Sequence, residues 1–230
     1  MPGPASHAGL IALAEAIFEP FVPAVWLLTA RFGPHFVGVE YAANMDEVRA
    51  AVAERGIRVV RDIGLALHTH PADTLGVAFE FYDGEFHGQT YPLIGGREMR
   101  SAAGWASEHP LGLTGLKHYT LAGPRGGRPG GTLSGGGVPG LPPPRRFRES
   151  FLGAEPVYEA PRPAAGARAL GLCVADGIAE LLAPTGPGAI ADHLVRYGQG
   201  IHAAVFGVRS IAQVKAWCAA QGLPLVPGTA

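Results

Sequence analysis

The chain carries one supersecondary unit twice. His35 to Val60 reads HFVGVEYAANMDEVRAAVAERGIRVV, and His202 to Val226 reads HAAVFGVRSIAQVKAWCAAQGLPLV. With one gap, His35 aligns with His202, Val48 with Val214 and Gly56 with Gly222. Each copy reads as strand, turn, helix, strand. One such unit cannot bury its apolar face alone, so repeated copies pack together. A binding site is then expected where they meet.

Both helices are written in the same grammar. In the first copy Asn44 is the N-cap and Glu47, three residues on, completes a capping box. Met45, Val48 and Val52 form the apolar stripe, and Gly56 ends the helix. In the second copy Ser210 caps, Gln213 completes the box, Ile211, Val214 and Trp217 form the stripe, and Gly222 ends it. Strands are expected around His35–Tyr41, Ile57–Arg61, Leu65–His70, Val77–Tyr82, Lys117–Ala122, Val157–Ala160, Ala167–Val174 and Ile178–Ala183. Alternation along Val77–Tyr82 places Val77, Phe79 and Phe81 on one face and Ala78, Glu80 and Tyr82 on the other. Residues 9–19 fit a short helix or a strand equally. Residues 84–112 read as an irregular linker anchored by Trp105, and Gly186–Gly198 as a turn and short helix.

Strand, helix and three strands, more than once, is an α+β pattern whose sheets curve around a central cavity. We divide the chain into halves at 1–112 and 113–230. Gly123–Pro144 interrupts the second half with nine Gly and six Pro in 22 residues. Such a segment buries too little surface to offset its ordering entropy. It stands where a helix is due, which leaves one sheet face uncovered. Two origins fit it: a natural insertion or a frameshifted stretch. GGT CCG CGA GGT GGA CGC CCT GGC GGC encodes GPRGGRPGG, and without its first base reads as a plausible helix start, Val-Arg-Glu-Val-Asp-Ala-Leu-Ala-Ala.

Charge and cysteine content narrow the partners. The net charge of −1 gives no electrostatic basis for binding nucleic acid or an acidic membrane. The apolar stretch near the start is broken by Pro20 and Pro23 and is too short to span a bilayer. Cys173 and Cys218 make no disulfide framework and read as reduced core thiols of a cytoplasmic protein.

GPHFVGVEYAANMDEVRAAVAERGI with GVAFEFYD, then GLKHYT, FLGAEPVYEA, AELLAPTG and GIHAAVFGVRSIAQVKAWCAAQGL, taken in order, resemble the vicinal oxygen chelate superfamily. That superfamily includes glyoxalase I, methylmalonyl-CoA epimerase, bleomycin-resistance proteins and extradiol dioxygenases. The resemblance implies tandem βαβββ modules around a cavity, with the C-terminal module truncated. It implies metal ligands on the first and last strands of each module, which puts His118, Glu180 and Glu80 forward for a divalent ion such as Fe, Mn, Zn, Ni or Co. Glu80 is also the candidate catalytic base. His35 and His202 fall one residue before the ligand position, occupied here by Phe36 and Ala203. A one-residue slip turns a strand side chain to the other face. His35, Phe36, His68, His70, Tyr82 and His202 are then expected to line the substrate pocket, with His68 and His70 sharing a strand face.

Two function classes follow from the resemblance. One is a metal-dependent lyase, isomerase or dioxygenase acting on vicinal oxygens of a small substrate. The other is a metal-free binding protein of the bleomycin-resistance type, or an inactive relic. The fold alone does not choose between them. A homodimer that completes the sheets between chains serves either.

Overall fold

The computed structural model describes residues 31–84, 102–123 and 151–226, with short strands among residues 6–23 and 90–98. Two compact units divide the chain and cut across the 112/113 boundary. One takes residues 36–84 and 118–203; the other draws on 1–35, 85–117 and 204–228. The first holds most of the two sheets described next.

Its first module starts with β1 (Gly38–Ala42), α1 (Met45–Glu54), β2 (Val59–Asp62), β3 (Ala66–Thr69) and β4 (Ala78–Tyr82). The sheet order is β1-β4-β3-β2. β1 runs parallel to β4, pairing Val39 with Phe79 and Tyr41 with Phe81, and the other pairings are antiparallel. Asn44 starts α1 because its side-chain oxygen accepts from the backbone N–H of Asp46 at 3.0 Å and of Glu47 at 3.2 Å. Met45, Val48 and Val52 are the buried residues of that helix. Gly56 takes a φ of 62°, the left-handed turn that ends a helix at little cost to glycine. Arg49 reaches from α1 to Asp62 on β2 at 3.0 Å and holds that carboxyl down at about 2. β1 begins at Gly38 rather than His35, and position 38 needs glycine because a Cβ there would strike the Ala78 carbonyl of the parallel neighbour.

The second module repeats this plan with β5 (Leu113–Ala122), β6 (Glu155–Arg162), β7 (Ala167–Val174) and β8 (Gly177–Pro184). The order is β6-β7-β8-β5, continued by β9 (Gly200–Val208). Again the first strand, β5, lies parallel to the last, β8. The Gly/Pro-rich segment, with both accounts of its origin, lies outside the described residues. One face of this sheet is buried. Tyr119, Leu121, Leu172, Val174 and Ala179 join Val48, Val52, Phe79 and Phe81 in one apolar cluster. Phe151 packs edge-on against Phe81 at 5.8 Å and closes it. The first module's helix side thus supplies the apolar partner that the second module's sheet needs.

Of three further helices, α3 stands where the sequence places a short helix, while α2 and the buried face of α4 differ from expectation. Within the supposed linker, α2 (Ala102–Glu108) is a helix, and Trp105 lies against His109 at a ring distance of 4.6 Å. α3 (Ala189–Tyr197) follows β8; its Ile190 is buried against Ala122, Ala167, Ala169 and Leu182. α4 (Ile211–Ala220) is capped by Ser210, which accepts from Gln213 N–H at 3.2 Å. Its buried residue is Cys218, whereas Ile211, expected in the stripe, is 62% exposed. No helix among the described residues is long and apolar enough to cross a membrane.

Candidate functional site

Glu180 stands on β8, between β7 and β5, and is 2% exposed. Strand pairing places Tyr158 beside Gly171, Gly171 beside Glu180, and Glu180 beside Thr120, in one row across four strands. An ionised carboxylate here must be met by charge or hydrogen bonds. Both arrive from β6 on one oxygen. Arg162 donates to Oε1 from Nη2 at 2.6 Å and from Nε at 3.1 Å, and the Tyr158 hydroxyl donates at 3.0 Å. Arg162 and Tyr158 are four residues apart on one strand and so share its face. Gly171 makes the reach possible, since a Cβ there would run into the Tyr158 ring. The hydrogen bond to Glu180 raises the Arg162 guanidinium above its ordinary value, and burial, then the Glu180 charge, push the Tyr158 phenol up. Both donors therefore keep their protons.

The other oxygen, Oε2, faces His118 Nε2 at 3.7 Å. His118 lies on β5 two residues before Thr120, on the same face. Thr120 Oγ1 is 3.2 Å from His202 Nδ1 on β9. That contact brings His202 to the side chain of Thr120, two residues from His118 on β5. His193 of α3 stands edge-on to His202 with ring centres 5.3 Å apart. A depression of about 350 Å³ is lined by Ala189, Asp192, His193, Arg196, Tyr197 and His202. Burial holds both imidazoles below their ordinary value, and at His193 the charge of His202 adds to it.

The other predicted residues are dispersed. Glu80 pairs with His68 at 2.8 Å on the first module's sheet, and Glu40 is its register neighbour on β1. His70 does not chelate beside His68. β3 ends at Thr69, and His70 Nδ1 accepts from Ala72 N–H at 3.1 Å to cap a short turn. His35 bonds through Nδ1 to the Gly33 carbonyl at 2.7 Å. Phe36 is 44% exposed ahead of β1, and Tyr82 is half-buried at the end of β4 opposite Ala66.

A divalent ion needs three or more converging donors. Among the described residues no group of three His, Cys, Asp or Glu is arranged to hold one. Glu80, His118 and Glu180 do not form one ligand set, and Oε1 of Glu180 is already taken by Arg162 and Tyr158. The residues as they stand do not fit the metal that the motifs imply. Arg162, Tyr158, Gly171, Thr120 and His193 belong to this candidate cluster, and the motifs did not indicate them. The available signal was the same-face spacing of Tyr158 and Arg162 in EPVYEAPR, with a lone glycine in ALGLC on the next strand.

No family model matches the chain, and no curated protein matches it. Solved structures do. A triple mutant of 4-hydroxymandelate synthase from Streptomyces coelicolor aligns over 94% of this chain and 64% of its own, at 12% identity and a TM-score of 0.65. Methylmalonyl-CoA epimerase from Mycobacterium tuberculosis aligns over 50% of this chain and 68% of its own, at 23% identity and a TM-score of 0.40. A hypothetical protein from Bacillus halodurans aligns over 50% and 76%, at 21% identity and a TM-score of 0.36. The 4-hydroxymandelate synthase likeness extends over nearly the whole chain, and both modules described above repeat a strand order in which the first strand joins the last in parallel. The chain has the vicinal oxygen chelate fold, the architecture of the superfamily that its motifs resemble.

Proposed function

We propose that the chain binds a small, oxygen-bearing molecule on the Glu180 face of its second module, as a binding protein or enzyme of the vicinal oxygen chelate type. Glu180 carries the reading: a fully compensated carboxylate buried mid-sheet, flanked by the partly exposed His118 and Arg162. Arg162 has five N–H donors and spends two on Oε1, so the remaining ones and the His118 imidazole are the groups a ligand's oxygens would meet. The free thiols Cys173 and Cys218 suit a reducing compartment such as the cytoplasm. A homodimer belongs to the same reading and is checked by sedimentation.

The test is calorimetry and thermal shift with a panel of 2-hydroxy acids, 2-keto acids, vicinal diols and a CoA thioester. 4-Hydroxymandelate and methylmalonyl-CoA belong in the panel because the neighbours' names contain them. At least one compound saturably stabilises the wild type, and His118→Ala weakens its binding tenfold or more. A folded wild type that binds none of them sinks the proposal.

A second reading, a metal-dependent lyase, isomerase or dioxygenase, has one observation in its favour. His118 Nε2 and Glu180 Oε2 are 3.7 Å apart. That separation admits an ion at about 2.0–2.2 Å from each. It requires a third donor to arrive and the ion to tolerate the Arg162 guanidinium on Oε1.

A further inference from the structure

We infer that Arg162 is this site's resident cation: its guanidinium holds Oε1 of Glu180, so Glu180 serves as Arg162's counter-ion and not as a metal ligand. Three observations converge. Both Nε and Nη2 of Arg162 converge on Oε1, at 3.1 and 2.6 Å. A carboxylate oxygen at the shorter distance from a guanidinium is in a strong charge-assisted bond. The Tyr158 hydroxyl at 3.0 Å takes a further lone-pair direction of the same oxygen. The arrangement is also built by the backbone. Only a residue without a side chain at position 171 lets the Tyr158 ring cross β7, and Arg162 lies over that ring at 5.9 Å.

A divalent ion at Glu180 would stand beside a fixed positive charge, in a site where burial weakens solvent screening. It would have His118 Nε2 and Oε2 as its available donors in the cluster, one short of a stable site. The guanidinium performs part of the ion's electrostatic work from within the chain. It offers directed N–H donors to a ligand's oxygens, holds its charge at any working pH, and does not act as a Lewis acid. With Glu180 and Arg162 paired, the cluster nears neutrality, so its ligand is a hydroxyl- or carbonyl-bearing neutral molecule before a polyanion. That ligand class rests on the function proposed above; the exclusion of metal does not.

The experiment titrates chelator-dialysed, untagged protein with Co²⁺ and Mn²⁺. Readouts are calorimetry, visible Co²⁺ absorption and Mn²⁺ paramagnetic resonance. Glu180→Gln defines which binding belongs to this site. For the wild type we expect no Glu180-dependent binding tighter than about 1 mM. Arg162→Gln frees Oε1 and gains a Co²⁺ site at least 100-fold tighter, with ligand-field bands that vanish in the R162Q/E180Q double variant. Arg162→Lys keeps a cation beside Glu180 and remains blind to metal, which keeps the idea testable should R162Q fold poorly. Stoichiometric Co²⁺ on the wild type that E180Q abolishes overturns the inference, and so does a folded R162Q that takes up none. If no oxygen-bearing compound binds, the proposed function fails alone, and the metal titrations still decide the role of Arg162.

Discussion

A carboxylate in mid-sheet is tolerated when its charge is answered within hydrogen-bond reach, and Glu180 has that answer from one direction, β6. Removing the charge strands Arg162, whose side chain is 26% exposed and so keeps part of its hydration. Glu180→Gln should cost about 2–4 kcal/mol in urea denaturation, below the full penalty for breaking a completely buried pair. An unchanged midpoint would mean that the pair is solvated in solution. The imidazoles of His193 and His202 give a second prediction at this scale. Their folded values lie below the ordinary one of 6.5. As pH falls below about 6.5 the unfolded chain takes up protons that the folded chain refuses, so stability is full above that value and declines beneath it. Melting temperature should drop between pH 7.5 and 5.5, and the double variant H193Q/H202Q should flatten the slope. Asp192, Arg196 and Tyr197 surround the pair and stay in place in that comparison.

Among the elements, α1 and α4 show how far local rules extend. Asn44 and Ser210 are read correctly as caps because a cap is a contact between residues two or three apart. Asn44→Ala should cost about 1 kcal/mol, measured by chemical denaturation. A loss below about 0.3 kcal/mol would show that tertiary contacts alone hold the start of α1. The stripe of α1 is buried as its spacing predicts, while Ile211 at the same kind of spacing in α4 is 62% exposed. Periodicity states which side chains share a face; whether a partner covers that face depends on the other elements. Strand ends differ from expectation by zero to four residues for a similar reason, since a strand extends as far as its neighbour pairs with it.

Across the unit of residues 36–84 and 118–203, one apolar cluster ties the two modules together. Phe79 lies at its centre with 0% exposure, stacked between Tyr41 and Phe81 at ring distances of 6.3 Å. Phe79→Ala should cost about 3–5 kcal/mol. Because the cluster is shared, amides of β4 and β8 should lose hydrogen-exchange protection together. Loss confined to β4 would mean that the modules unfold independently.

The amino-acid sequence by itself determined the repeat, the caps, the alternation of Val77–Tyr82, the α+β class and the family likeness. All of these are short-range patterns or their order along the chain. It also marked Glu180 and His118, which carry recognisable residue types at recognisable places. The tertiary structure decided what those residues touch. Tyr158, Gly171, Glu180 and Thr120 form a row only because β5 to β8 pair in one register, and a register between distant segments leaves no local signature. Other strand pairings brought His202 beside Thr120 and left Glu80 with His68, while the β6–β8 row set the Arg162 guanidinium on Glu180. Chain order specifies the modules; the alignment of strands against one another specifies the site.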